Sequence, residues 1–172
     1  MSALDRLNSL SPPEALSEFL KCCGSRNWAR RMTDQRPFVD LAGLLSEADD
    51  IWLSLTGPDW MEAFRSHPKI GEQKAAETQS AEARAWSEQE QAGTRDSAQE
   101  IMQALAAGNR EYEDRFGYIF IVCAAGKTAD EMLAMLRKRL SNDADKELRL
   151  AAEEQRKITE IRLRKLVAIC EP

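Results

Sequence analysis

Apolar residues recur at steps of three and four along most of the 172-residue chain, which is the spacing of one face of an α-helix. The clearest stripe consists of Phe38, Leu41, Leu45, Ala48, Trp52 and Leu55. One run, Tyr118 to Ala125, is continuously apolar, and periodicity alone leaves open a buried strand or a buried helix. Because no second strand is available to pair with it, we expect this run to be helical or irregular. The pattern predicts an all-α fold.

Helix starts are marked by three capping boxes, in which a hydroxyl and a carboxylate three residues later satisfy each other's backbone N–H groups. They lie at Ser11–Glu14, Ser87–Glu90 and Thr128–Glu131. Asn142 or Asp143 is placed to cap a last helix of roughly 25 residues. The length suits one domain, and no linker or repeat divides it. We therefore expect a single compact multi-helix domain over residues 1–172.

Composition excludes several classes of protein. Hydrophobic residues make up 43% and charged residues 31%, which is typical of a globular chain. A net charge of −5 argues against nucleic-acid binding, which needs a basic face. No apolar run approaches the ~20 residues of a membrane span, and the first residues do not resemble a secretory signal. We expect a cytoplasmic protein that binds neither nucleic acid nor membrane.

The metal-binding residue types are sparse. The chain has four cysteines without a Cys-x-x-Cys pair and only one histidine, so we expect no metal site. The cysteines are expected to be reduced, buried and small apolar residues.

His67 is the only histidine and therefore the only side chain that titrates near neutral pH when unperturbed. Pro68 and Gly71 predict a rigid bend around it, and a bend can present an imidazole at a cleft for proton transfer. A plain surface histidine in a turn is the alternative, and spacing alone favours it.

Ser87 and Glu90 are explained by helix capping alone. A helix N-terminus also offers free N–H groups and a partial positive charge, which suit an anion or a polar heterocycle. Gln91 adds an amide that can donate and accept. Spacing favours the cap and leaves the binding role open.

Arg162 falls between two apolar residues of the last helix, close to its apolar stripe. A partly buried arginine needs a carboxylate partner from the protein or a substrate. A solvated charged face is the alternative, and we adopt it for Arg164 and Lys165.

Together these fragments resemble a known family, OHCU decarboxylase, where OHCU is 2-oxo-4-hydroxy-4-carboxy-5-ureidoimidazoline. The resemblance extends from about Ser11 to Val167 and rests on an ordered set of motifs. They are Phe64-x-x-His67-Pro68-x-Ile70-Gly71, Trp86-Ser87-x-x-Glu90-Gln91-Ala92-Gly93, Tyr112-Glu113-x-Arg115-Phe116-Gly117 followed by Tyr118 to Ala124, Glu153-Glu154-Gln155-x-Lys157-Ile158, and Arg162-Leu163.

The resemblance implies an all-α, cofactor-free homodimer that acts as a carboxy-lyase. It would remove carbon dioxide from OHCU and leave (S)-allantoin in urate breakdown. It assigns catalysis to His67 and Glu90. It assigns substrate binding to Pro68, Ser87, Glu88, Gln89, Gln91, Ile119, Phe120, Ile121, Val122 and Arg162.

Two other functions remain open at this point. A non-enzymatic helical interaction module would also account for the capping boxes and stripes, since folding alone explains them. A related ureide-processing enzyme on the same scaffold, such as a hydrolase or a racemase, is the second alternative.

Overall fold

The computed structural model describes residues 1–70 and 99–168. Within those residues it contains eight helices and no strand, so the all-α prediction is confirmed. The helices are α1 Ala3–Ser9, α2 Pro12–Cys22, α3 Arg26–Asp34, α4 Leu41–Ser54, α5 Gly57–Arg65, α6 Gln99–Phe116, α7 Ala129–Arg139 and α8 Ala144–Ala168. None of these helices is long and apolar enough to cross a membrane.

The predicted capping boxes are confirmed where the structure describes them. At α2, the Ser11 N–H donates to the Glu14 carboxylate at 2.9 Å. At α7, the Thr128 hydroxyl accepts from the Glu131 N–H at 3.2 Å, and the Glu131 carboxylate accepts from the Thr128 N–H at 2.8 Å. The Ser87–Glu90 box lies outside the described residues.

One helix boundary differs from the pattern of apolar residues. The stripe begins at Phe38, but α4 begins at Leu41 because the Asp40 side chain caps it by accepting from the Gly43 N–H at 2.7 Å. Pro58 lies at the second position of α5, where its missing N–H leaves no helical hydrogen bond unmade. An apolar stripe therefore locates a helix better than it locates the helix ends.

Contacts divide the chain into two compact units. The first consists of Met1–Ala63 and Arg156–Pro172, and the second is Phe64–Gln155. In the first unit α2 packs against α3 and α3 against α4. The buried Trp28 ring contacts the Phe19 ring edge-on, with 5.9 Å between the ring centroids. It also donates through Nε1 to the Ala48 carbonyl at 3.1 Å. A single domain over residues 1–172 stays a prediction.

In the second unit α6 packs against α7. The two helices lie close together at Gly108, where a Cβ atom would lie 2.5 Å from Leu136 Cδ2. Residues 118–124 follow α6 without regular structure and are all buried, so the irregular alternative for this apolar run is confirmed.

Candidate functional site

The turn after α5 holds His67 half-buried. The backbone N–H of His67 donates to the Phe64 carbonyl at 3.2 Å. The next residue, Pro68, is also half-buried. The ring nitrogen Nε2 lies 2.6 Å from Oε1 of Gln155, a side chain that is fully buried on α8. An amide oxygen only accepts hydrogen bonds, so Nε2 is the donor. The imidazole is thus hydrogen-bonded to a buried side chain, a contact that a plain surface histidine would not make.

The predicted substrate-contact residues Ile119–Val122 form the centre of the buried irregular segment. Buried backbone outside a helix or sheet needs other hydrogen-bond partners. Side chains supply them here. The Phe120 N–H donates to Asn109 Oδ1 at 3.3 Å, and the Cys123 N–H donates to Glu154 Oε2 at 2.7 Å.

The histidine turn and this segment share their supports. Asn109, which accepts from Phe120, donates through Nδ2 to the Ile70 carbonyl at 3.3 Å. Gln155, which contacts His67, directly follows the Glu154 that contacts Cys123. The second unit therefore brings together the predicted site residues of the turn and of the irregular segment.

A buried ion pair between α7 and α8 also supports the irregular segment. Arg139 is 2.6 Å from the Glu147 carboxylate and donates through Nη1 to the Ile121 carbonyl at 2.6 Å. The Tyr112 hydroxyl donates to the same carboxylate at 2.5 Å, and burial raises the pKa of that hydroxyl, so it stays protonated. The guanidinium also lies 4.6 Å from the centre of the Phe120 ring. Charge, hydrogen bonds and ring contact all converge on residues 120–121.

Arg162 belongs to the first unit and is 2% exposed, so it is more deeply buried than the sequence predicted. Burial raises the pKa of the Cys22 and Cys23 thiols, to about 11 for Cys23. The nearby charge of Arg162 favours the thiolates but is outweighed by burial. Both thiols are therefore protonated at neutral pH and are poor nucleophiles. Arg164 is exposed and pairs with Glu160 at 2.8 Å, which confirms its predicted place on the solvated face.

The remaining predicted residues, Ser87 to Gln91, lie outside the described residues, including Glu88, Gln89 and the proposed catalytic Glu90. Three of the four cysteines, Cys22, Cys23 and Cys123, are described, and all three are buried, as expected. Across residues 1–70 and 99–168, no three His, Cys, Asp or Glu side chains are grouped as a metal ion would require.

The motifs predict no site role for the supporting residues Asn109, Arg139, Glu154 and Gln155, although the last two lie in a motif of the family resemblance. A signal existed for Gln155, because positions 151, 155, 158 and 162 recur at helical spacing and all four are buried. Polar residues at two of those positions, Gln155 and Arg162, indicate side chains kept in the interior for a purpose other than apolar packing.

Comparison with known proteins identifies the relatives of this chain. The family model described as OHCU decarboxylase matches residues 8–164. The uric acid degradation bifunctional protein TTL of Arabidopsis thaliana is 42% identical over 151 residues, which are 87% of this chain and 46% of that relative. A 2-oxo-4-hydroxy-4-carboxy-5-ureidoimidazoline decarboxylase of Haloferax volcanii is 27% identical over 161 residues, which are 93% of this chain and 93% of that relative.

Among solved structures, a crystal structure of OHCU decarboxylase in the presence of (S)-allantoin superimposes with a TM-score of 0.75 and 37% identity. The match covers 88% of this chain and 97% of that one. The chain spans less than half the length of the bifunctional relatives that it matches, 46% for the Arabidopsis protein and 32% for one from Bacillus sp. (strain TB-90).

Proposed function

Because the chain belongs to the OHCU decarboxylase family, we propose that it is a carboxy-lyase that converts OHCU to (S)-allantoin in urate breakdown. The observation that carries the proposal is the family match over residues 8–164, which includes the histidine turn and the irregular segment that the second unit brings together. The reaction as proposed uses no cofactor.

The chemistry of the substrate explains why side chains alone suffice. When the bond to the carboxylate carbon breaks, the adjacent C=N of the ring takes up the electron pair as carbon dioxide leaves. A proton must then reach the ring carbon that becomes the stereocentre of allantoin. The protein has to orient the ring, stabilise the charge that develops and deliver that proton to one face.

The proposal gives each predicted residue a role. His67 and Glu90 flank the reacting carbon and act together in proton transfer. Arg162 binds the substrate carboxylate, since a buried guanidinium holds a carboxylate through two parallel hydrogen bonds. The ring and ureido groups are bound by Pro68, Ser87, Glu88, Gln89 and Gln91 and by the segment formed by Ile119, Phe120, Ile121 and Val122. Within this proposal the protein acts in the cytoplasm as a homodimer.

Glu90→Gln separates the capping role of Glu90 from the catalytic one. Glutamine can still close a capping box, so the thermal midpoint should barely move, while turnover of OHCU should fall by about 10²-fold. Thermal melting and steady-state kinetics on the same preparation measure both. A lowered midpoint together with normal turnover per folded molecule would show that Glu90 is only a cap.

Arg162→Lys tests the proposed carboxylate contact. Lysine keeps the charge but loses the paired hydrogen bonds, so the KM for OHCU should rise by about tenfold. Arg164→Lys is the matched control on the exposed face of the same helix and should leave KM unchanged. Equal effects in the two variants, or a larger effect at Arg164, would show that Arg162 is not the arginine that binds the substrate carboxylate.

The proposed activity itself is tested with freshly made OHCU, whose decay is followed by ultraviolet absorbance with and without the protein. Accelerated decay to allantoin supports the decarboxylase. Decay at the spontaneous rate would favour the interaction module, and accelerated decay to another product would favour a different ureide-processing enzyme.

A further inference from the structure

The His67 ring makes a polar contact with Gln155, 88 residues away in the sequence. The two atoms, Nε2 of the ring and Oε1 of the amide, are 2.6 Å apart, a short distance for this type of hydrogen bond. Gln155 lies in the same compact unit as His67.

The contact decides which ring nitrogen carries the proton. A neutral imidazole has one N–H, and the nitrogen facing an amide oxygen must be the one that donates. With Nε2 protonated, the lone pair of the neutral ring is on Nδ1. The imidazolium form also donates from Nε2, so the bond to Gln155 is kept in both protonation states.

Gln155 is well placed to hold this geometry. It is fully buried, and the preceding residue, Glu154, is 7% exposed and accepts from the Cys123 N–H at 2.7 Å. The turn that contains His67 is itself tied at Ile70 to Asn109, which also binds the irregular segment. A small shift of α8 would therefore be transmitted to both the ring and the segment.

We infer that Gln155 is a positioning residue for His67, whose amide oxygen holds Nε2–H and makes Nδ1 the nitrogen that exchanges a proton with the substrate. This inference rests on the proposed function. When the ring acts as the acid, the Nδ1 proton passes to the substrate carbon, the N–H bond pair stays on Nδ1, and the neutral Nε2–H tautomer remains bound to Gln155.

The tautomer can be read directly by nuclear magnetic resonance. His67 is the only histidine, so ¹⁵N-histidine labelling gives one pair of ring signals without an assignment problem. The wild-type ring, at a pH at which it is neutral, should show the Nε2–H tautomer. A predominant Nδ1–H tautomer, or an even mixture of both, would overturn the inference whatever the activity.

Gln155→Leu removes the acceptor at similar size. We expect a mixture of tautomers and a fall in kcat of about 10²-fold with KM within about twofold, since a misplaced catalytic group costs that order in rate while the substrate contacts remain. Gln155→Glu restores an oxygen acceptor and should return the ring to the Nε2–H form. Unchanged kcat in Gln155→Leu, or mixed tautomers in Gln155→Glu, would contradict the positioning role.

Thr159→Val is the matched control, because Thr159 is a buried polar residue one helical turn after Gln155. It should lower stability without changing the tautomer or kcat. A loss of kcat equal to that of Gln155→Leu would mean that any buried polar change in α8 has this effect, and the inference would fail. A wild-type protein that is inactive on OHCU but shows the Nε2–H tautomer would instead refute only the proposed function.

Discussion

His67→Asn is expected to leave a folded helical protein in which turnover of OHCU is reduced by ~10²–10⁴-fold, the usual contribution of a general acid or base. Asparagine can still donate from its side chain but has no proton to transfer at neutral pH. Steady-state kinetics, with far-ultraviolet circular dichroism on the same sample, measures the activity and the fold together.

The matched control is Arg65→Asn, a change at an exposed position two residues earlier, which should leave turnover unchanged. If His67→Asn turned over OHCU at a near-normal rate with an unchanged helical spectrum, His67 would not be the catalytic histidine.

The largest effect on stability is expected for Arg139→Met, which should lower the free energy of unfolding by about 3–5 kcal/mol. The substitution leaves the fully buried Glu147 carboxylate without its counter-charge and the Ile121 carbonyl without its donor. Urea unfolding followed by circular dichroism measures the change.

Arg137→Met is the control for this prediction, because Arg137 is exposed on the same helix and should change stability by less than about 0.5 kcal/mol. The double variant Arg139→Met/Glu147→Leu removes both charges and should recover part of the loss, since a buried charge without a partner costs more than no charge. Equal losses in Arg139→Met and Arg137→Met would show that the buried pair contributes nothing to stability.

The helices could be predicted because their signals are local. The Thr128–Glu131 box and the stripe that follows it lie within a few turns of each other, and α7 begins where they indicate. Phe38 belongs to the apolar stripe of α4 without being helical, because an apolar stripe records burial rather than backbone conformation.

The site was only partly predictable because its supports are long-range. A single histidine before a proline indicated His67, but no local pattern could indicate that Gln155 would meet it across 88 residues. The same holds for Arg139, whose partners Ile121 and Glu147 lie on other segments of the chain. Apolar periodicity predicts which face is buried, whereas the pairing of buried polar groups depends on the tertiary fold.

We propose that this chain decarboxylates OHCU with the proton delivered to one face of the ring. This proposal is tested most directly by the circular dichroism of the allantoin formed from freshly made OHCU, with the wild-type protein and without protein. We expect rapid formation of the (S) enantiomer with the protein, because a fixed side chain delivers the proton to one face. Racemic allantoin formed at the rate of the protein-free sample would contradict it.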